Sequence, residues 1–141
     1  NETLPKIFSG DISPEKQDDA EATFARNILR EDEKIDWNAS ARYVFNKVRA
    51  LDPTPGAFTY LEGNVLKIWS TEEVKQGFES NFDKVGTIIK QDKKNIYILC
   101  GNKTVLKVNE LQVSGKKRMP VVNFLSNKKD YVGTVLGEEN E

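Results

Sequence analysis

Ala57-Phe58-Thr59-Tyr60-Leu61-Glu62-Gly63-Asn64-Val65-Leu66-Lys67-Ile68-Trp69 decides the fold. Two apolar-rich runs, 57–61 and 65–69, alternate with a period of two and flank Glu62-Gly63-Asn64, a short glycine-containing link. That pattern predicts a β-hairpin, because successive side chains of a strand face opposite ways and glycine eases a tight reversal.

Upstream, the period is different. Ala41, Val44, Phe45, Val48 and Leu51 recur at three- and four-residue steps, which places one apolar stripe on a helix of about 13 residues. Asp36 or Asn38 is the expected cap, accepting from the unpaired amides of the first turn. The helix should stop at Asp52, since Pro53 disfavours the helical conformation in the residue before it and Pro53-Thr54-Pro55-Gly56 must be a rigid turn.

Downstream, Val85–Lys90 and Asn95–Cys100 flank the polar turn Gln91-Asp92-Lys93-Lys94, a second hairpin. Thr104–Val108 and Glu110–Val113 supply at least one more strand, and Met119 to Leu125 a short helix with Pro120 in its first turn. Ser70 to Lys84 reads as a connecting loop. Five or so short strands with a helix at each end predict a mainly β fold with flanking α elements: a small antiparallel barrel.

With 141 residues the chain should hold one domain plus an arm. Residues 1–34 form that arm: Leu4, Ile7 and Phe8 can make one amphipathic turn, Ser9 to Pro14 breaks it, and Glu15 to Glu33 is polar and acidic, as in an extended linker lying on a neighbour. The chain has no histidine and one cysteine, Cys100. Histidine-based nucleophile pairs, histidine-containing metal sites and disulfides within the chain are therefore excluded. Glu72, Glu73 and Asp83 have no evident carboxylate partner for acid/base work, and the scattered glycines form no phosphate-cradling motif. No catalytic residue and no metal site is expected, and Cys100, closing an apolar strand, reads as a buried structural thiol. No apolar run approaches the ~20 residues that span a bilayer, and no signal-peptide pattern opens the chain, so a cytoplasmic protein without a membrane partner is expected.

The formal charge of −1 argues at first against a polyanion partner. Divided along the chain it says the opposite. Residues 1–34 hold 5 basic and 9 acidic groups (−4), residues 138–141 three glutamates (−3), and residues 35–137 hold 16 basic and 10 acidic groups (+6). Within that basic core Lys116-Lys117-Arg118 follows the Ser114-Gly115 turn and makes a compact cationic point. Lys67, Lys90, Lys93, Lys103 and Lys107 are candidate supporting phosphate contacts, with Lys103 and Lys107 expected on one strand face. Arg49 is a further candidate that could instead order the turn after the helix. Such contacts position a nucleic acid without reading its sequence. Trp37, Trp69, Tyr60 and Tyr97 could stack on bases but suit a core better.

Several segments together resemble a known family: Phe24-Ala25-Arg26-Asn27-Ile28, Lys34-Ile35-Asp36-Trp37, Val48 to Thr59 with Pro53-Thr54-Pro55-Gly56-Ala57, Leu66-Lys67-Ile68, Leu111-Gln112, Gly115-Lys116-Lys117-Arg118-Met119 and Phe124-Leu125. In order and spacing they resemble the C-terminal portion of bacterial methionyl-tRNA formyltransferase, over essentially the whole chain. The family usually has Trp where this chain has Thr54, often Pro at Val85, and tends to Gly at Asn127.

The resemblance implies an enzyme that moves a formyl group from 10-formyltetrahydrofolate to the amino group of methionyl initiator tRNA, with catalysis in an N-terminal domain of the parent chain. Residues 1–9 would be the tail of the last catalytic-domain helix, 10–34 the interdomain linker and 35–137 an oligonucleotide-binding-like (OB-like) barrel that binds tRNA, ending in the acidic tail 138–141. A monomer is expected, with no cofactor bound by this chain itself. Two alternatives stand beside it: the accessory domain of a small-molecule (amino-sugar) formyltransferase, and a free-standing module whose acidic arm folds over its own basic face.

Overall fold

The hairpin forms around a two-residue link. Strand β1 (Ala57–Leu61) pairs antiparallel with β2 (Asn64–Val74), Leu61 opposite Asn64. Glu62 and Gly63 both take positive φ, 50° and 75°, the geometry that matches the twist of two-residue hairpins. Asn64 therefore belongs to the strand and not to the link. The computed structural model describes residues 2–75 and 80–138.

Beyond Trp69 the chain does not leave the sheet. β2 runs on to Val74, pairing Thr71 with Val108, Glu72 with Lys107 and Val74 with Val105 of β5 (Thr104–Val113). The expected loop at 70–84 is thus strand as far as Val74, while residues 76–79 lie outside the described part. Glu72 and Glu73 masked the strand in sequence. The structure places Glu72 against Lys107 and Asn109, and Glu73 against Arg42. β5 is likewise one continuous strand, and Asn109 does not break it.

The second hairpin joins β3 (Ile88–Gln91) to β4 (Ile96–Cys100), and the sheet order is β1-β2-β5-β4-β3. The strand expected from Val85 starts only at Ile88. A sixth short strand, β6 (Met119–Pro120), pairs with β5. Only then comes helix α4 (Val121–Phe124), continued by a 3-10 turn, Leu125–Asn127. Pro120 is thus extended and precedes the helix, and does not lie in its first turn as expected. A residue without an N–H suits a strand end.

The terminal strands β1 and β3 do not pair with each other, so the sheet is barrel-like but open. Residues 131–137 stitch the two edges together: the Gly133 amide donates to the Ile88 carbonyl (2.8 Å), Leu136 to Gly86 (2.9 Å) and Gly137 to Tyr60 (2.9 Å). This segment carries no strand-like alternation, and its role emerges only in three dimensions.

The arm begins with α1 (Thr3–Ser9) and ends with α2 (Arg30–Glu33), and its apolar side chains Leu4, Ile7, Phe8, Ile28 and Leu29 are all exposed. Phe24 is 99% exposed. α2 nevertheless docks: the Arg30 guanidinium lies 3.7 Å from the Phe58 ring centroid, and the Ile35 amide donates to the Phe58 carbonyl (2.8 Å).

Helix α3 (Ala41–Leu51) packs on β2 and β5 and buries Ala41, Val44, Val48 and Leu51, four of the five residues of the expected stripe, while Phe45 stays half-buried beneath Arg42 and Arg49. Fully burying a valine or leucine side chain is worth about 1.5–3 kcal/mol. Its cap is Ser40, whose hydroxyl accepts from the Tyr43 amide, and not Asp36 or Asn38. The Asp36 carboxylate accepts instead from the backbone and side-chain nitrogens of Asn38 (2.9 Å each), a local turn that leads Trp37 into the core. There the Trp37 indole donates to Thr59 Oγ1 (3.0 Å). Gly101 lets the helix entry approach β4: its amide faces the Trp37 and Ala39 carbonyls, and a Cβ there would lie 1.8 Å from the Asn38 oxygen.

Candidate nucleic-acid interface

Opposed residues of antiparallel strands project from the same face, so the register lines up Glu72, Lys107, Tyr97 and Lys90 across the outer surface. The cations in this row have partners. Lys107 Nζ is 3.3 Å from Glu72 Oε2, and Lys90 Nζ lies 5.4 Å from the Tyr97 ring centroid. The Tyr97 hydroxyl donates to Asp92 (2.9 Å), and its pKa is raised by partial burial and by that carboxylate. Glu72, held by Asn109 and Lys107, ionises more readily than an ordinary glutamate. Lys103 does not share this face. It sits with Asn102 in the β4–β5 turn, both at positive φ, because the chain reverses one residue before β5 begins.

A second outer cluster surrounds Trp69. Its indole N–H donates to Gln112 Oε1 (3.1 Å), and Gly56, with φ of 87°, lies so close under the ring that a Cβ would come within 2.4 Å of it. Lys67 Nζ donates to the Pro55 carbonyl (2.7 Å). Arg118 stands 5.2 Å from the Trp69 ring and bridges two carboxylates, Glu110 (2.8 and 2.5 Å) and Asp52 (2.9 Å). Hydrogen bonding to Glu110 is the main cause of its raised pKa. Lys67 and Arg118 thus tie the Pro53–Gly56 turn and the β5–β6 turn to the sheet. Arg49 is exposed on α3, its guanidinium 5.5 Å from the Phe45 ring, and among the described residues it makes no hydrogen bond to the turn.

The cations left without a salt bridge among the described residues include Lys93, Lys103, Lys116 and Lys117, all exposed. They do not form one patch. Lys103 precedes β5 and Lys116 follows it, so the ten residues of the strand, roughly 30 Å, separate them. Two of the four line clefts beside the α4 segment. Lys93 shares a depression with Val122 and Leu125, while Lys116 lines a cleft with Asn123 and Phe124, so the Lys93 turn and the Lys116-Lys117 turn flank α4 from two sides. Exposed Lys94 belongs to the Lys93 turn and exposed Lys128 follows the 3-10 turn. Lys129, next to them, is held by Glu62 (2.5 and 2.7 Å).

Among the described residues no group of three or more His, Cys, Asp or Glu is arranged to hold a metal, and no helix is long and apolar enough to cross a membrane. Cys100 is fully buried, and burial pushes its thiol up to about 12. It is no nucleophile.

An open antiparallel β domain, approached by an extended arm and basic around α4, is the class that fold and surface define. The particular family follows from comparison. The chain belongs to the formyl transferase C-terminal domain family, whose sequence model matches residues 27–129. It is 43% identical over all 141 residues to the methionyl-tRNA formyltransferase of Bacillus velezensis and 40% identical to that of Bacillus subtilis. In both cases it spans 44% of the relative's length. Among solved structures, a variant of HypX from Aquifex aeolicus superposes with a TM-score of 0.60 at 18% identity, covering 99% of this chain and 23% of that one. HypX in complex with tetrahydrofolic acid superposes with a TM-score of 0.56 at 19% identity, over 89% of this chain and 22% of that one. These two likenesses concern the fold.

Proposed function

We propose that this chain is the tRNA-holding portion of a methionyl-tRNA formyltransferase. The observation that carries the reading is 43% identity across the whole chain to an enzyme of that name. The cations around α4 support it independently: Lys93, Lys116 and Lys117 are exposed, unbridged among the described residues, and set in a segment of net charge +6. In this reading the lysines meet phosphates and hold the tRNA without specifying its sequence. Lys107 and Lys90 extend the contact along the outer face, Lys103 from the β4–β5 turn and Arg49 from α3 are further contacts, while Lys67 and Arg118 act through the turns they fix.

The formyl donor, 10-formyltetrahydrofolate, and the amino group of methionyl initiator tRNA then meet in an N-terminal catalytic domain of the parent chain. In this reading the groups that act on the reacting atoms belong to that domain. The exposed apolar side chains of the arm, Phe24 and Phe8 above all, are the surface for that domain, and a monomeric cytoplasmic enzyme is the expected setting.

A second reading, a structural accessory domain of a small-molecule formyltransferase such as one acting on an amino sugar, draws on the occurrence of this fold in HypX, a protein solved in complex with tetrahydrofolic acid. Titrating the chain with initiator tRNA separates the two. Saturable binding that weakens steeply with salt supports the first, and no binding at low salt supports the second.

A further inference from the structure

A cleft of about 310 Å³ opens between the β1–β2 turn, the β5–β6 turn and the α4 segment. Its inner wall is apolar, with Leu66, Val113 and Phe124 among its residues, and Phe124 is stacked on Tyr131 at 4.8 Å between centroids. Its rim is polar. Asn123 and Ser114 are exposed and their side chains make no hydrogen bond among the described residues, while Lys116 stands at the mouth. The one carboxylate there, Glu62, is neutralised by Lys129 at 2.5 Å.

A half-buried aromatic ring, one face of it stacked on Tyr131, edged by an amide and with a cation at the entrance, has the features that accept an unpaired base. Bases splayed out of a helix stack on aromatic rings and are held at their edges by side chains that both donate and accept. The volume lies at the lower end of small-ligand sites, roughly 300–1,000 Å³. We infer that this cleft receives one unpaired nucleotide of an RNA, its base against Phe124 with Asn123 on its edge and its phosphate at Lys116. The inference rests on the reading of the chain as an RNA-holding domain and adds a local feature to it: backbone contacts alone would not distinguish an extruded nucleotide from a paired one.

The test compares two RNA duplexes of matched length, one perfect and one with a single bulged 2-aminopurine, titrated into the full chain at about 50 mM salt, where phosphate contacts are strong. The bulged RNA should bind five- to tenfold more tightly, with quenching of the 2-aminopurine as it stacks. Asn123→Ala and the cleft-filling Asn123→Trp should abolish that preference and leave the perfect duplex bound as before. Lys117→Ala should weaken both RNAs alike. Asn123 is exposed, so the fold should survive, which circular dichroism checks. Equal binding of the two RNAs by the unaltered chain, or a preference that persists in both Asn123 variants, overturns the nucleotide site while leaving salt-sensitive duplex binding intact. Failure to bind either RNA overturns the RNA reading itself, and the nucleotide site falls with it.

Discussion

Replacing Arg118 with glutamine separates two roles that the Lys116-Lys117-Arg118 run makes look alike. The guanidinium bridges Glu110 and Asp52 and stands over Trp69, so its removal should cost stability more than RNA affinity. An exposed ion pair is worth about 0–1 kcal/mol and a cation over an aromatic ring about 0.5–1 kcal/mol. With the Arg118 side chain 41% exposed, solvent screening keeps the two pairs toward the lower end, and the total should be about 1–2 kcal/mol. Urea unfolding of the chain should show that loss at an unchanged slope against denaturant. Glu110→Gln in the same background should add little, because the pair is already broken. The salt dependence of tRNA binding should keep its slope. A stability change below about 0.3 kcal/mol, together with a slope lowered by about one phosphate contact, would refute the reasoning and make Arg118 a direct contact.

Other consequences concern the scaffold and the arm. Gly101→Ala should destabilise the chain by at least ~3 kcal/mol, because the added methyl meets the Asn38 backbone and displaces the Gly101 amide from two carbonyls; thermal unfolding close to that of the parent sequence would contradict the tight approach. Cys100, with its thiol pushed up to about 12, should resist alkylation at pH 8 in the folded chain and react once urea unfolds it. Asp32, hydrogen-bonded by Arg26 and by the Leu29 amide, is lowered from 3.8 to about 2. A depressed carboxylate favours the ordered arm above its unfolded pKa, and that contribution fades as pH falls toward 2. The Leu29 amide resonance should therefore titrate with a midpoint near pH 2, and a midpoint near 3.8 would mean that the Arg26 and Leu29 contacts do not form in solution.

The hairpin, the helix stripe and the basic core were legible because each is a local pattern: a period of two, a period of three to four, a count of charges. What escaped the sequence depends on distant partners. Glu72 and Glu73 read as loop until Lys107, Asn109 and Arg42 are seen opposite them. Ser40 took the cap from Asp36 because Asp36 already closes a tighter turn with Asn38. Residues 131–137 join two sheet edges by backbone hydrogen bonds, which impose no side-chain period. Of the site, the identity of the cations was readable but not their commitments. Arg118, Lys107 and Lys67 look interchangeable with Lys116 and Lys117 in sequence, yet the first two are bound to carboxylates and the third to a carbonyl. The gathering of Lys93 and Lys116 around α4 was invisible, since more than twenty residues separate them along the chain.

In the proposed function these exposed lysines hold tRNA by its phosphates. The most direct test is the slope of log affinity against log salt for initiator tRNA, measured with the unaltered chain and with Lys93, Lys116 and Lys117 all replaced by alanine. Each phosphate contact contributes about 0.7–0.9 to that slope, so the triple replacement should flatten it by about 2 to 3 and weaken binding most at low salt. A triple variant that binds with the affinity and slope of the unaltered chain would contradict the account.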